Sequence, residues 1–327
     1  MIDRRHALLG TLATALVAGG ATAQTRPPGA TGRLPDPVET IDLWPNGAPG
    51  APPVPPVETI TQRSTNPALS DRSVSGIATP RLVVFRPAVP NGSAALVMPG
   101  GGYVRIVIDK EGYEIARWLA ARGWTVFVLF YRLPGDGWAA GPDVALSDAQ
   151  RAMRLIRARA GIYDLRADRI AAMGFSAGGH VCGDLATRFD ARTYAPVDAA
   201  DRQSARPDAA APIYAVQSMT LPLGHTGSRA RLLGANRTPA QERAHSTALN
   251  VTATTPPCFL LHAEDDGTVD VGNTVAFRAA LKAAGVPVET HLFAHGGHGF
   301  GLRGTVGKPV AAWPDLFLAW AKAQRLG

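Results

Sequence analysis

Arg169-Ile170-Ala171-Ala172-Met173-Gly174-Phe175-Ser176-Ala177-Gly178-Gly179 runs an apolar strand pattern, residues 169–175, into a serine with glycine two places before and two places after it. A G-x-S-x-G at a strand-to-helix turn is a nucleophile elbow. The geometry explains the residue types. Ser176 has to sit in a strained backbone conformation with its hydroxyl presented, and the neighbouring turns then crowd positions 174 and 178. With 35 glycines in 327 residues the pattern alone is modest evidence. Its weight comes from its place between an apolar strand and the helix that must follow.

Outward from the elbow, the periodicity alternates. Strands are expected at residues 82–85, 94–98, 125–130, 211–216, 258–263 and 290–293. Helical spacing marks 111–122, 143–160, 273–284 and 310–324. Continuous apolar strands separated by helices mean a mostly parallel sheet covered on both faces, an α/β fold. There is no internal repeat, and residues 61–327 read as one catalytic domain. The stretch 198–251 has weaker periodicity and reads as insertions over one end of the sheet. In open α/β sheets ligands bind at the carboxyl ends of the strands, so chemistry is sought just after each strand.

A serine hydroxyl is a weak nucleophile until a base takes its proton. In this arrangement the chain order is serine, acid, histidine. Glu264-Asp265-Asp266-Gly267 follows the strand at 258–263, and His295-Gly296-Gly297-His298-Gly299 follows the one at 290–293. His298 is the expected base, because glycines on both sides let a loop carry its ring to Ser176; His295 is the competitor. Asp266 is preferred to Asp265 as the acid. His291 belongs to the strand, so the three histidines are not read as a metal cluster, and no metal or organic cofactor is expected. Pro99-Gly100-Gly101-Gly102-Tyr103 also follows a strand, and glycines there let backbone N–H groups face a site. The expected oxyanion donors are Gly101, Gly102 and Ala177. GGGYVR lacks the spacing of a dinucleotide loop, and no phosphate loop occurs in the chain. Around this site Tyr103 is placed to stack on a sugar or aryl group, Trp138 to reach the cleft, and His225 with Ser228 to touch a substrate. His180 packs at the start of its helix, and Trp313 and Trp320 fit the core.

The chain opens with a different signal. Arg4-Arg5 precede an apolar run, residues 7–18, and Ala21-Thr22-Ala23 is a small-x-small cleavage site. Residues 1–23 therefore read as a signal peptide of twin-arginine type, with an uncleaved anchor as the alternative, and the protein as periplasmic or secreted. Residues 24–60 hold ten prolines between Pro27 and Pro56 and read as a Pro-rich arm, packed or loose. Apolar residues make up 46% and charged residues 18%, which excludes disorder of the bulk. No apolar run reaches the ~18 residues of a membrane span, so no membrane insertion is expected after cleavage. The formal charge of +7 comes from 33 basic and 26 acidic residues, but the arginines are scattered, and nucleic acid is not an expected partner. The only cysteines, Cys182 and Cys258, read as buried free thiols or, alternatively, a disulfide.

At these residues the chain resembles α/β-hydrolases, and within them the secreted bacterial carboxylesterases of acetyl-xylan and feruloyl esterase type, similar to the hormone-sensitive-lipase group. The resemblance covers most of the chain after residue 23. It is carried by LWPNGAPG at 43–50, PGGGY at 99–103, Glu111-Gly112, YRLP at 131–134, DAQR at 148–151, GFSAGGH at 174–180, His262-Ala263 with Asp265-Asp266, and GGHGFGL at 296–302. Pro99 stands where lipase-like relatives have His, and Val269-Asp270 where many have Val-Pro. The resemblance implies hydrolysis of short acyl esters, acetyl or feruloyl, on xylan-type carbohydrate; the residues alone say serine acyl hydrolase. The rival readings are a peptidase of prolyl-oligopeptidase kind, for whose propeller the chain is too short, and an inactive carbohydrate-binding protein, against which the intact Ser-Asp-His order stands.

Overall fold

Apolar runs become strands and 3.6-period runs become helices. In chain order the strands are β1 (Thr40–Asp42), β2 (Thr59–Gln62), β3 (Arg72–Ser75), β4 (Arg81–Phe85), β5 (Ala94–Met98), β6 (Thr125–Phe130), β7 (Ile170–Phe175), β8 (Ala209–Ile213), β9 (Cys258–Ala263) and β10 (Val288–Phe293). The helices are α1 (Glu114–Ala120), α2 (Val144–Ala158), α3 (Ser176–Thr187), α4 (Thr226–Leu233), α5 (Pro239–Ala244), α6 (Gly272–Ala283) and α7 (Trp313–Ala323). This computed structural model describes Pro37 and residues 39–327; the expected signal peptide lies outside the described residues. Among the described residues no helix is long and apolar enough to cross a membrane.

Eight strands form one sheet in the order β1-β4-β6-β5-β7-β8-β9-β10, antiparallel at β1-β4-β6 and parallel from β6 to β10. Every residue of β5 to β9 is buried, so both faces of the sheet centre are covered. Strand order reverses at β5: the chain crosses to β6 on one side, then returns past β5 to β7 on the other. Such a switch point opens a crevice between the carboxyl ends of the two parting strands. Met98 at the end of β5 pairs with Gly174 in β7. The loop after β5 and the turn after β7 therefore leave the sheet side by side. Ala263 and Phe293 likewise end β9 and β10 as partners.

The elements depart from expectation at their ends. The expected strand 211–216 occupies Ala209–Ile213, and the chain leaves the sheet at Tyr214, whose φ is +35°. The expected helix 111–122 begins as a π-turn, Asp109–Tyr113, before α1. The catalytic domain does not begin at 61. Within the stretch read as a Pro-rich arm, β1 pairs with β4, and Leu43 and Trp44 are buried in the core. Residues 38–44 lack proline, so β1 can join the ladder there. The hairpin β2–β3 was not expected either; all of β2 is exposed, and its single apolar residue, Ile60, gives no alternation to read. Cys182 and Cys258 are buried free thiols, and Trp313 and Trp320 are buried.

Three motifs far apart in sequence meet under the site. The Arg132 guanidinium donates to both carboxylate oxygens of Asp148 and to the Pro49 carbonyl, and it lies 5.2 Å from the Trp44 ring and 4.8 Å from the Trp138 ring. Trp44 Nε1 also donates to Asp148 Oδ1, at 2.8 Å. Arg151, one turn on from Asp148, holds the Leu43 carbonyl and pairs with Asp198 and Asp201. This network ties the LWPNGAPG, YRLP and DAQR segments together. The side chains of Arg132 and Asp148 are 1% and 0% exposed. Removing one partner strands the other as a buried charge, which costs far more than the pair contributes net. Asp148→Ala is therefore expected to lose about 3–5 kcal/mol of stability, read as a fall in the denaturant midpoint, whereas a variant of the exposed Arg166–Asp168 pair is expected to leave that midpoint nearly unchanged.

Candidate active site

Ser176 opens α3 with φ at +53°, a left-handed conformation that non-glycine residues adopt only where the surroundings enforce it. What enforces it is close packing of the turn. A Cβ on Gly174 would fall on the Gly178 carbonyl, and one on Gly178 would fall on the backbone of Met98 and Pro99. Those two positions have to be glycine if the turn is to lie against β5.

The Ser176 hydroxyl is 2.8 Å from His298 Nε2, and His298 Nδ1 is 2.7 Å from Asp266 Oδ2. Asp266 Oδ1 accepts from the N–H groups of Thr268 and Val269, both at 2.9 Å. His262, fully buried on β9, stands 3.1 Å from Asp266 Oδ2 and 3.0 Å from the Val269 carbonyl through Nε2. Both are acceptors, so that nitrogen carries the ring proton, and His262 Nδ1 accepts from the Thr274 hydroxyl at 2.8 Å. Burial pushes the Asp266 carboxyl up, but hydrogen bonds from His262 and His298, the His298 charge and the Val269 N–H outweigh it and hold the group well below the usual carboxylate range. A permanently ionised Asp266 keeps a proton on His298 Nδ1 and leaves Nε2 as the acceptor facing Ser176. The competitors His295 and Asp265 pair with each other on the exposed surface at 3.5 Å, and His291 on β10 bonds Glu289.

The glycine loop after β5 lies beside this array. Gly101 has φ at +142° and would place a Cβ on the Arg105 carbonyl, so no other residue fits. Among the described residues no acceptor is found for the N–H of Gly101 or Gly102. Ala177 N–H belongs to the first turn of α3, where no intrahelical acceptor exists. Gly100 N–H is not available: it donates to Glu111 Oε2 at 2.9 Å, and Glu111 Oε1 accepts from Tyr214 at 3.0 Å. Tyr131 grips the same loop through the Pro99 carbonyl at 2.7 Å. Thus a buried carboxylate and a buried tyrosine fix the loop from beneath.

Ser176, His298, Gly101 and Gly102 open on a cleft of about 550 Å³. Of the four expected substrate contacts, His225 lines it; Tyr103, Trp138 and Ser228 do not. Tyr103, at φ +62°, turns inward and is 2% exposed. Its hydroxyl bonds His180 Nδ1 at 2.6 Å, and His180 Nε2 reaches the His245 carbonyl at 2.7 Å. A phenol buried in its own polar chain stabilises the loop and cannot stack on a ligand. Trp138 is 4% exposed and lies against the Arg132 guanidinium. Ser228 is buried and serves His225: its N–H and hydroxyl both meet His225 Nδ1, at 3.2 and 2.8 Å. The ring proton of His225 is therefore on Nε2. Burial, with the charge His298 carries when protonated, moves its pKa down, and an Nδ1 that accepts the Ser228 N–H belongs to a neutral ring. The lining residues Arg63, Arg105, Lys110 and Arg231 were not foreseen.

A sheet with a strand-order switch, an elbow serine and a His-Asp relay at neighbouring strand ends define an α/β-hydrolase. Comparison narrows this: the chain belongs to the BD-FAE family, whose signature spans residues 84–281. It is 37% identical over 204 residues to endo-1,4-beta-xylanase B of Butyrivibrio fibrisolvens, covering 62% of this chain and 32% of that protein. It is 31% identical over 226 residues to the acetylxylan esterase of Xylanibacter ruminicola, covering 68% and 44%. The chain thus spans less than half the length of these two relatives. The solved acetyl ester-xyloside bifunctional hydrolase of Caldicellulosiruptor lactoaceticus superposes with a TM-score of 0.72 at 32% identity, over 90% of this chain and 99% of that one. The resemblance to α/β-hydrolase carboxylesterases therefore holds at the level of family and fold.

Proposed function

We propose that this chain is a serine esterase that removes short acyl groups, acetyl before feruloyl, from xylan-type carbohydrate. The observation that carries the proposal is the relay from Ser176 Oγ through His298 to Asp266, at 2.8 and 2.7 Å, in a cleft also lined by Gly101 and Gly102. In this reading His298 Nε2 takes the Ser176 proton as the oxygen attacks the ester carbonyl, and the C–O bond forms. The oxyanion settles against the N–H groups of Gly101, Gly102 and Ala177, each such donor being worth about 3 kcal/mol of barrier. His298 then gives its proton to the departing alcohol oxygen, leaving an acyl-enzyme. Water, deprotonated by the same histidine, releases the acid and restores Ser176. His225, neutral with its proton on Nε2, is the cleft donor best suited to a sugar hydroxyl or acyl oxygen. Acetyl ester hydrolysis in the named relatives supports the substrate class. The Arg4-Arg5 leader supports export to the periplasm or beyond.

The test is hydrolysis of p-nitrophenyl acetate, butyrate and octanoate and a feruloyl ester, followed by acetate release from acetylated xylan. Activity is expected to be highest on acetate and to fall with each lengthening of the acyl chain. A preference for octanoate, or no acetate released from the polysaccharide, would overturn the substrate assignment.

A further inference from the structure

The cleft around Ser176 is ringed by cations from four separate elements. Arg63 stands at the turn after β2, Arg105 in the glycine loop, Lys110 in the π-turn before α1, and Arg231 on α4. Arg105 and Arg231 are exposed and Lys110 half-buried. Among the described residues none of these three has a carboxylate partner, whereas Arg81, Arg132, Arg151, Arg188, Arg229 and Arg303 are each paired. Arg63 has only a long contact with Asp71, at 3.7 Å, and Asp71 is shared with Arg303. Two of the cations adjoin the glycine loop and the relay. The Arg105 side chain packs beside Gly101, and Lys110 Nζ lies beside Gly299, next to His298.

The negative side of the cleft is already engaged. Glu111 lines it, but its two oxygens accept from Gly100 N–H and the Tyr214 hydroxyl. Asp266 is buried behind His298. Like charges gathered around one concavity repel one another, and among the described residues the one carboxylate in the lining, Glu111, is outnumbered by these four cations. A cleft lined by one sign of charge focuses its field and concentrates ligands of the opposite sign. Guanidinium groups, planar and forked, are matched to carboxylates. We infer that the cleft selects esters carried on an acidic sugar: the alcohol portion bears a carboxylate, as in a uronic-acid-substituted xylo-oligosaccharide, which Arg105 and Arg231 hold while the acyl group faces Ser176. This rests on the esterase reading and adds the charge of the substrate to it.

Binding is measured separately from turnover. Ser176→Ala is titrated calorimetrically with a uronic-acid-bearing xylo-oligosaccharide and with its carboxyl-reduced, neutral counterpart. The acidic ligand is expected to bind about tenfold more tightly at low ionic strength, and the ratio to fall towards one near ~0.5 M salt, where the screening length is a few ångströms. Adding Arg105→Gln and Arg231→Gln is expected to collapse the ratio to below about twofold, since both interactions are rim electrostatics. Equal affinity for the two ligands at low salt, or an undiminished ratio without the two arginines, would overturn the inference. Hydrolysis of p-nitrophenyl acetate by the wild type reports on the esterase reading alone. Charge-selective binding without hydrolysis removes the esterase reading and leaves only the preference of the cleft for a carboxylate; hydrolysis with no charge selectivity keeps the esterase reading and overturns this inference.

Discussion

Ser176→Ala is expected to lower kcat on p-nitrophenyl acetate by about 10⁵–10⁶-fold while leaving the protein folded. The loss is large because the elements of the relay act as a unit: without Oγ, His298 has no proton to take and no acyl-enzyme forms. What remains is the contribution of the oxyanion donors and ester binding, about 10³–10⁴ over water. Stability should change little. Alanine tolerates the left-handed conformation at 176 no worse than serine does, and the exposed edge of the cleft loses only one hydrogen bond. The variant's denaturation midpoint and its ester turnover, measured side by side, separate the two effects. Retention of more than a few per cent of activity would remove Ser176 from the reaction. Equal activity in wild type and variant is also what an inactive binding protein with adventitious hydrolysis would give.

The parts of this fold that were legible in the sequence are those where one physical requirement dominates. Residues 94–98, 125–130 and 258–263 are buried on both faces and almost wholly apolar, so strand bounds could be read to the residue. The elbow was legible for another reason: only glycine fits at 174 and 178, where a Cβ meets backbone. Where two requirements compete, the reading failed. Tyr103 follows a loop of glycines that faces the cleft, and an aromatic there suggests a ligand platform. Its φ of +62° turns the ring inward instead, toward a histidine 77 positions away that has an acceptor to offer. Nothing local in the sequence reports that partner. Trp138 failed in the same way, because its place is set by the Arg132–Asp148 pair. The supporting residues Glu111 and His262 were legible only as members of motifs. Their work is to fix the glycine loop and the Asp266 carboxylate, and such tasks appear only once the strand ends are assembled. The cationic rim escaped notice because its members come from four elements, and scattered basic residues in a chain of +7 charge look like solvated surface.

Asp266→Asn is expected to cost about 10³–10⁴ in kcat with the fold intact, and the direction follows from how its four donors are arranged. Asp266 Oδ1 accepts from two backbone N–H groups, those of Thr268 and Val269. An asparagine must therefore turn its carbonyl oxygen to that side. Its NH₂ then occupies the place of Oδ2 and confronts two ring nitrogens that donate in the wild type, His262 Nε2 and His298 Nδ1. His262 has an alternative acceptor at once, the Val269 carbonyl at 3.0 Å. His298 has none, so it shifts its proton to Nε2 and accepts from the amide through Nδ1. In that tautomer Nε2 donates toward Ser176 and cannot take its proton. The geometry survives while the chemistry stops, so the Asp266→Asn variant should bind ester normally and turn it over slowly. Stability carries a second signature. Because the folded carboxyl is held well below the usual range, the ionised form contributes stability that is fully present above the unfolded value and is lost as pH falls through the folded one. The wild type is therefore expected to lose more stability on acidification than Asp266→Asn, and denaturant titrations at neutral and acid pH measure that difference. A variant that matched the wild type in both turnover and acid response would show that the carboxylate neither sets the His298 tautomer nor supports the loop after β9.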